Sequence, residues 1–246
     1  MWRLSLNTRS LTPSISIRAT PQHEEAPVTE IEAVHNAQVV EEAQLATAPP
    51  SGGDPVPLGL LVFALGSTVL GISLLGYVPL AVQGNTIMPI VFAATGLGLL
   101  ITTTWAVRIG ETFVATVLGA FAAFWISYAA LVIGLAHNWY AIPPTAILHT
   151  IGEFLIAWDI VIFMLFLVSL RIPLLFSLIL GAGVVGVTLI TIGVLESSAG
   201  IQHAGAVFVL VFAALGYYGY LGTAIVSVGG KPLPFGKPVL SLLNRK

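Results

Sequence analysis

Asp54-Pro55-Val56-Pro57-Leu58-Gly59-Leu60 opens an apolar run that continues, broken only by short polar turns, to Val228. The heptapeptide reads as a helix start. The Asp54 carboxylate can cap the first turn. Pro55 stands at the first helical position, where a missing N–H costs nothing, and Pro57 is still in the first turn. Gly59 permits close packing. A membrane span needs about 20 apolar residues at about 1.5 Å of rise each. The run divides into six such spans, near residues 57–80, 87–107, 112–136, 144–170, 173–195 and 203–228. The breaks are Gln83-Gly84-Asn85, Arg108 to Glu111, His137-Asn138 with Pro143-Pro144, Arg171 with Pro173, and Glu196 to Gly200.

Composition agrees. Of 246 residues, 57% are hydrophobic and 8% charged, where a soluble domain carries about a quarter charged residues. Lipid must therefore be the solvent for most of the chain. A net charge of −2 argues against a nucleic-acid partner, and the absence of cysteine excludes disulfides and thiolate chemistry. The first 53 residues differ from the rest and hold six of the eleven acids. They read as a disordered acidic tail with a weak helix around 28–46. Residues 1–22 carry Arg3, Arg9 and Arg18 and no acid, as a transit segment would, although a solvated tail is the plainer reading.

Positive charge orients the spans. Arg108 and Arg171 lie in the second and fourth loops, and Lys231, Lys237, Arg245 and Lys246 in a basic tail over 231–246. Six spans put all of these on one side. The positive-inside rule then places both termini in the cytoplasm. The fold class expected is an all-α membrane domain over 54–230. Its many small residues let helix backbones approach closely.

The opening heptapeptide resembles the Asn-Pro-Ala-Pro-Leu-Gly-Leu signature of the acetate uptake transporter family, which includes bacterial succinate–acetate permeases and fungal acetate and ammonia-export proteins. Asp54 stands for the Asn. Gly110-Glu111-Thr112-Phe113 with Phe124-Trp125 is similar to the family's third helix. Gly152, Leu155, Ala157 and Trp158 are similar to the fourth, and Ala204-Gly205 with Tyr217 to the sixth. The resemblance covers about 54–222. It implies a hexameric ring in the cell membrane (plasma or inner). Each protomer would carry acetate, other small monocarboxylates or succinate, passively or with protons. It implies no cofactor and no enzyme activity.

The resemblance also implies a hydrophobic constriction of a Phe, a Tyr and a Leu from the first, third and fifth helices. Phe63 matches the first, and Phe121 stands where the Tyr would. The third position falls on Gly183 or on Leu178, according to which local string is matched. Thr112, Ser127, Tyr128 and Gln202 are candidate donors to a carboxylate. Ala106 and Glu111 replace the family's Glu and Asn.

The fourth span carries His149, Glu153 and Asp159. An Asp charge at a helix centre costs about 2.5–3.5 kcal/mol on insertion scales, so Asp159 needs a partner or a cavity. His149 and Glu153 are four apart on one helix face and can hydrogen-bond. Asp159 lies about 240° round from Glu153. These residues, with Glu111, are candidates for proton coupling, and the alternative is a hydrogen bond that holds helices together. The His149–Glu153 spacing also suits a metal, but no third ligand is evident. A sensor or scaffold that keeps the fold without transport is the competing function.

Overall fold

The computed structural model describes residues 53–78 and 88–243. The acidic tail with its weak helix, the transit-like stretch and the Gln83-Gly84-Asn85 turn lie outside them. Six helices are long and apolar enough to cross a membrane: α1 (Val56–Leu74), α2 (Pro89–Arg108), α3 (Thr112–Ala136), α4 (Pro144–Ser169), α5 (Leu174–Leu195) and α6 (Ala199–Ser227). A short α7 (Val239–Leu243) follows. Among the described residues there is no strand. The shortest span, α1, has 19 residues, about 28 Å at 1.5 Å each, close to the ~30 Å hydrocarbon core.

The spans match the sequence reading closely. The first ends at Leu74 rather than 80 because Gly76 takes a φ of +87° and turns the chain. The sixth begins at Ala199, four residues earlier than expected. Ser198 is extended there and its carbonyl accepts the N–H of Gln202 at 3.1 Å, so Ala199 and Gly200 join the helix instead of the loop. At the opening heptapeptide, the helix starts at Val56 rather than Pro55. The Asp54 Oδ1 accepts the Val56 N–H at 2.8 Å.

One device ends most of the spans. A residue with positive φ follows the last turn, and the next N–H bonds back five residues, consuming a carbonyl the helix leaves open. Gly76, Gly110, Asn138, Ser197 and Gly229 take this conformation. The bonds run from Tyr77 to Ile72, Glu111 to Ala106, Trp139 to Gly134, Ser198 to Gly193 and Gly230 to Ile225, at 2.8–3.4 Å. The α2 helix begins in wide π-type turns over Pro89–Leu97.

In space the neighbours run α3, α2, α1, α6, α5, α4, with α3 and α4 meeting only loosely. Small residues set the closest crossings. A Cβ at Gly66 would lie 2.5 Å from the Thr95 hydroxyl, which bonds the Val62 carbonyl at 3.0 Å and ties α1 to α2. A Cβ at Gly205 would lie 2.9 Å from the Gly186 carbonyl, so α5 and α6 touch backbone to backbone. The loose α3–α4 seam and the tight remainder leave space along the bundle axis.

Candidate functional site

That space includes two cavities that meet at a collar of phenylalanines. The first, about 470 Å³, lies toward the end that carries both described termini. It is walled by the start of α1, the first half of α3, the α4–α5 turn and the start of α5. The second, about 440 Å³, lies toward the far end. It is walled by α1, α3, α4, α5 and α6. Both walls are overwhelmingly apolar. Phe121 lines both cavities, Phe63 the first and Phe212 the second.

The three rings are buried and touch one another. Phe63 meets Phe212 edge to face with centroids 4.3 Å apart, and Phe121 edge to face at 5.0 Å; Phe121 and Phe212 are 5.8 Å apart. Edge-to-face contacts place positive ring edges on negative ring faces, each adding about 0.5–1.5 kcal/mol beyond burial. The collar is therefore closed in this structure and held by its own members.

Gly183 explains how Phe212 reaches the axis. Gly183 is buried and lines the far cavity. A Cβ there would stand 3.0 Å from Phe212 Cε2 and 3.5 Å from Ile162 Cγ2. The ring from α6 occupies the room that a side chain from α5 would fill. Leu178, the other candidate for this position, is 49% exposed on the outside of α5 and lines neither cavity. Phe212 was not singled out from the sequence. Its signal is only relational, since nothing in the string joins residue 212 to a glycine 29 positions earlier.

The remaining candidates fall in three places. Asp54, Gly59 and Glu111 line the terminus-side cavity. There Gly59 leaves room for Leu118, whose Cδ2 would meet a Cβ at 2.7 Å. Pro55 is buried, Pro57 half-buried and Leu58 exposed.

Tyr128 and Gln202 line the far cavity beside Ser67 and Trp125. Gln202 Nε2 donates to the Gly193 carbonyl at 3.1 Å and Ser67 Oγ to Phe63 at 2.9 Å. The Trp125 indole N–H is buried with no partner. Thr112 is exposed, and Ser127 donates to its own helix at Phe124, 3.0 Å away.

The acids of α4 lie apart from the cavities. Thr188 Oγ1 on α5 donates to Asp159 Oδ2 at 2.7 Å, while Oδ1 is buried and unpartnered. Asp159 lines neither cavity. His149 and Glu153 are exposed on the outer face of α4. No group of three His, Cys, Asp or Glu that could hold a metal occurs among the described residues.

The acetate transporter protein patA of Aspergillus clavatus is 26% identical over 185 residues, covering 70% of this chain and 74% of that one. The protein of the same name from Penicillium expansum is 27% identical over 206 residues, 79% and 82% of the two chains. Among solved structures, that of the bacterial acetate channel SatP aligns with a TM-score of 0.67 at 22% identity. It covers 75% of this chain and 99% of that one, so the two share a fold. With the GPR1/FUN34/yaaH family model matching residues 40–227, the chain belongs to the GPR1/FUN34/yaaH family.

Proposed function

We propose that this protein is a multi-pass membrane pathway for acetate and related small monocarboxylates, with each protomer holding its own path. The observation that carries this reading is the pair of apolar cavities meeting at the Phe63–Phe121–Phe212 collar. The curated relatives named for acetate transport support the cargo.

The apolar walls favour one form of the substrate. An ionised carboxylate loses its water at the collar and finds no donor on three phenyl rings. Desolvating such a charge costs far more than desolvating a neutral polar group. In addition, Asp54 and Glu111 border the terminus-side cavity and repel a standing anion there. The species that passes is the neutral acid, its hydroxyl proton travelling with it. The far cavity, with Tyr128, Gln202 and Trp125 in its wall, is where a carboxyl group would first meet donors.

On this reading the passage is passive and Asp159 has a structural part, joining α4 to α5 through Thr188. The orientation with both termini in the cytoplasm is supported by Arg108, Arg171, Lys231 and Lys237, all exposed at one end. The cell membrane is the proposed location. The exposed apolar faces, such as Ile156, Ile160, Phe163 and Met164 on α4, suit lipid or neighbouring copies in a homo-oligomeric, hexameric ring.

The test is uptake of labelled acetate by liposomes holding the purified protein. Saturable uptake above that of empty liposomes supports the pathway. Uptake equal to empty liposomes for acetate, propionate and succinate alike would leave the sensor or scaffold reading in its place.

A further inference from the structure

The chain does not leave the bundle after α6. Gly229, with φ of +82°, turns it, and residues 231–243 run back across the terminus-bearing end. Three hydrogen bonds pin this segment to three different places. The Leu175 N–H, one of the open donors at the start of α5, bonds the Phe235 carbonyl at 2.9 Å. The Tyr218 hydroxyl donates to the Pro234 carbonyl at 3.0 Å, and the Leu240 N–H to the Leu170 carbonyl at 3.2 Å. Gly236, at φ of +76°, passes so close to α5 that a Cβ would sit 2.9 Å from that of Leu174. Between these anchors the Phe235 ring turns inward. It meets Phe176 edge to face at 5.8 Å and Tyr218 at 6.2 Å, over Gly222, where a Cβ would overlap it. The ring is part of the wall of the terminus-side cavity.

We infer that this C-terminal segment is a fixed strap that completes the path, and that Phe235 sets the size of acid admitted at the terminus-bearing end. The inference deepens the transport reading and rests on it for its substrate. Its physical content is simple. Phe235 is the one residue of the segment in the cavity wall, and it is held by the Leu175 N–H on its own carbonyl and by the Tyr218 hydroxyl on the carbonyl before it. Removing the ring widens the rim while leaving the collar untouched.

The experiment uses full-length protein. Phe235→Ala and Tyr218→Phe are compared with wild type for uptake of labelled acetate and butyrate in liposomes. Phe235→Ala raises the butyrate-to-acetate ratio by about tenfold, the scale on which a filled apolar pocket discriminates single methylenes. Tyr218→Phe, which frees only the Pro234 anchor, moves it in the same direction by less.

A second readout does not need transport. The chain has no cysteine, so Thr223→Cys in the cavity wall is its only thiol. A bulky maleimide labels it faster when Phe235→Ala is added. If wild type carries no acid, the transport reading fails and the labelling rate alone decides the strap. If wild type carries acetate and Phe235→Ala leaves the ratio unchanged, the strap inference is overturned.

Discussion

Replacing Phe212 by Ala removes one of three rings from the collar and leaves the other two in place. Phe212 makes an edge-to-face contact with Phe63 at 4.3 Å and a tilted one with Phe121 at 5.8 Å. At about 0.5–1.5 kcal/mol for each aromatic pair, the collar loses about 1–3 kcal/mol of the attraction that holds it shut. If parting the rings limits passage, the same amount leaves the barrier. At about 1.4 kcal/mol per tenfold, acetate flux rises roughly five- to hundredfold. Gly183→Leu has the opposite sign. Its Cβ already stands 3.0 Å from Phe212, so the longer side chain is driven into the collar, at about 1–3 kcal/mol of overpacking. In the double variant Gly183→Leu/Phe212→Ala the side chain from α5 occupies the room left by the ring from α6, so Gly183→Leu carries no overpacking there and lowers flux by less than it does alone. Initial rates of labelled acetate uptake in liposomes, normalised to reconstituted protein, measure all three. Additive effects in the double variant, or a Phe212→Ala protein that is well folded and no faster than wild type, would refute the reasoning.

Uptake at constant total acetate follows the neutral acid. A simple carboxylic acid titrates near the Glu side chain, at about 4.3, so each pH unit above this cuts the neutral form about tenfold, and protein-dependent flux falls with it. A flux flat between pH 5 and 7 contradicts passage of the neutral acid. Asp159→Asn keeps an oxygen to accept the Thr188 hydroxyl and leaves the pH profile of uptake unchanged; a flattened profile instead assigns the carried proton to Asp159. Thr188→Val strips Asp159 of its donor and destabilises the α4–α5 pair by about 1–3 kcal/mol, read as a lower unfolding temperature in detergent.

The spans were legible in the sequence because their signal is additive. Each helix is an apolar stretch of membrane length ended by Gly, Asn, Ser or Pro, and these act on their own segments. The third helix was read to the residue, since Thr112 and Ala136 are bounded by Gly110 and by His137-Asn138. Where a boundary moved, a local bond moved it, as at Ser198 and Gly76. The collar was only half legible. Phe63 and Phe121 stood at positions that motif spacing could reach, but Phe212 depends on a missing side chain in another helix. The strap was unreadable for a related reason. Lys231 and Lys237 mark residues 231–243 as part of a basic tail, and only the open N–H of Leu175 and the hydroxyl of Tyr218 make them a wall. The acids of α4 stood out in sequence because charge is rare in lipid. Only the fold shows that Asp159 turns to Thr188 while His149 and Glu153 face outward.

In the proposed pathway, acid crosses the membrane through the collar inside each protomer. Phe121 is its shared member, lining both cavities. Since the natural chain has no cysteine, Phe121→Cys gives a protein with one thiol at that point. The decisive measurement is labelled acetate uptake by this variant in liposomes before and after its thiol is fully modified with a small sulfonate reagent. Passage through the collar gives uptake before modification, its loss afterwards, and slower modification in excess acetate. Complete modification with uptake undiminished would contradict it.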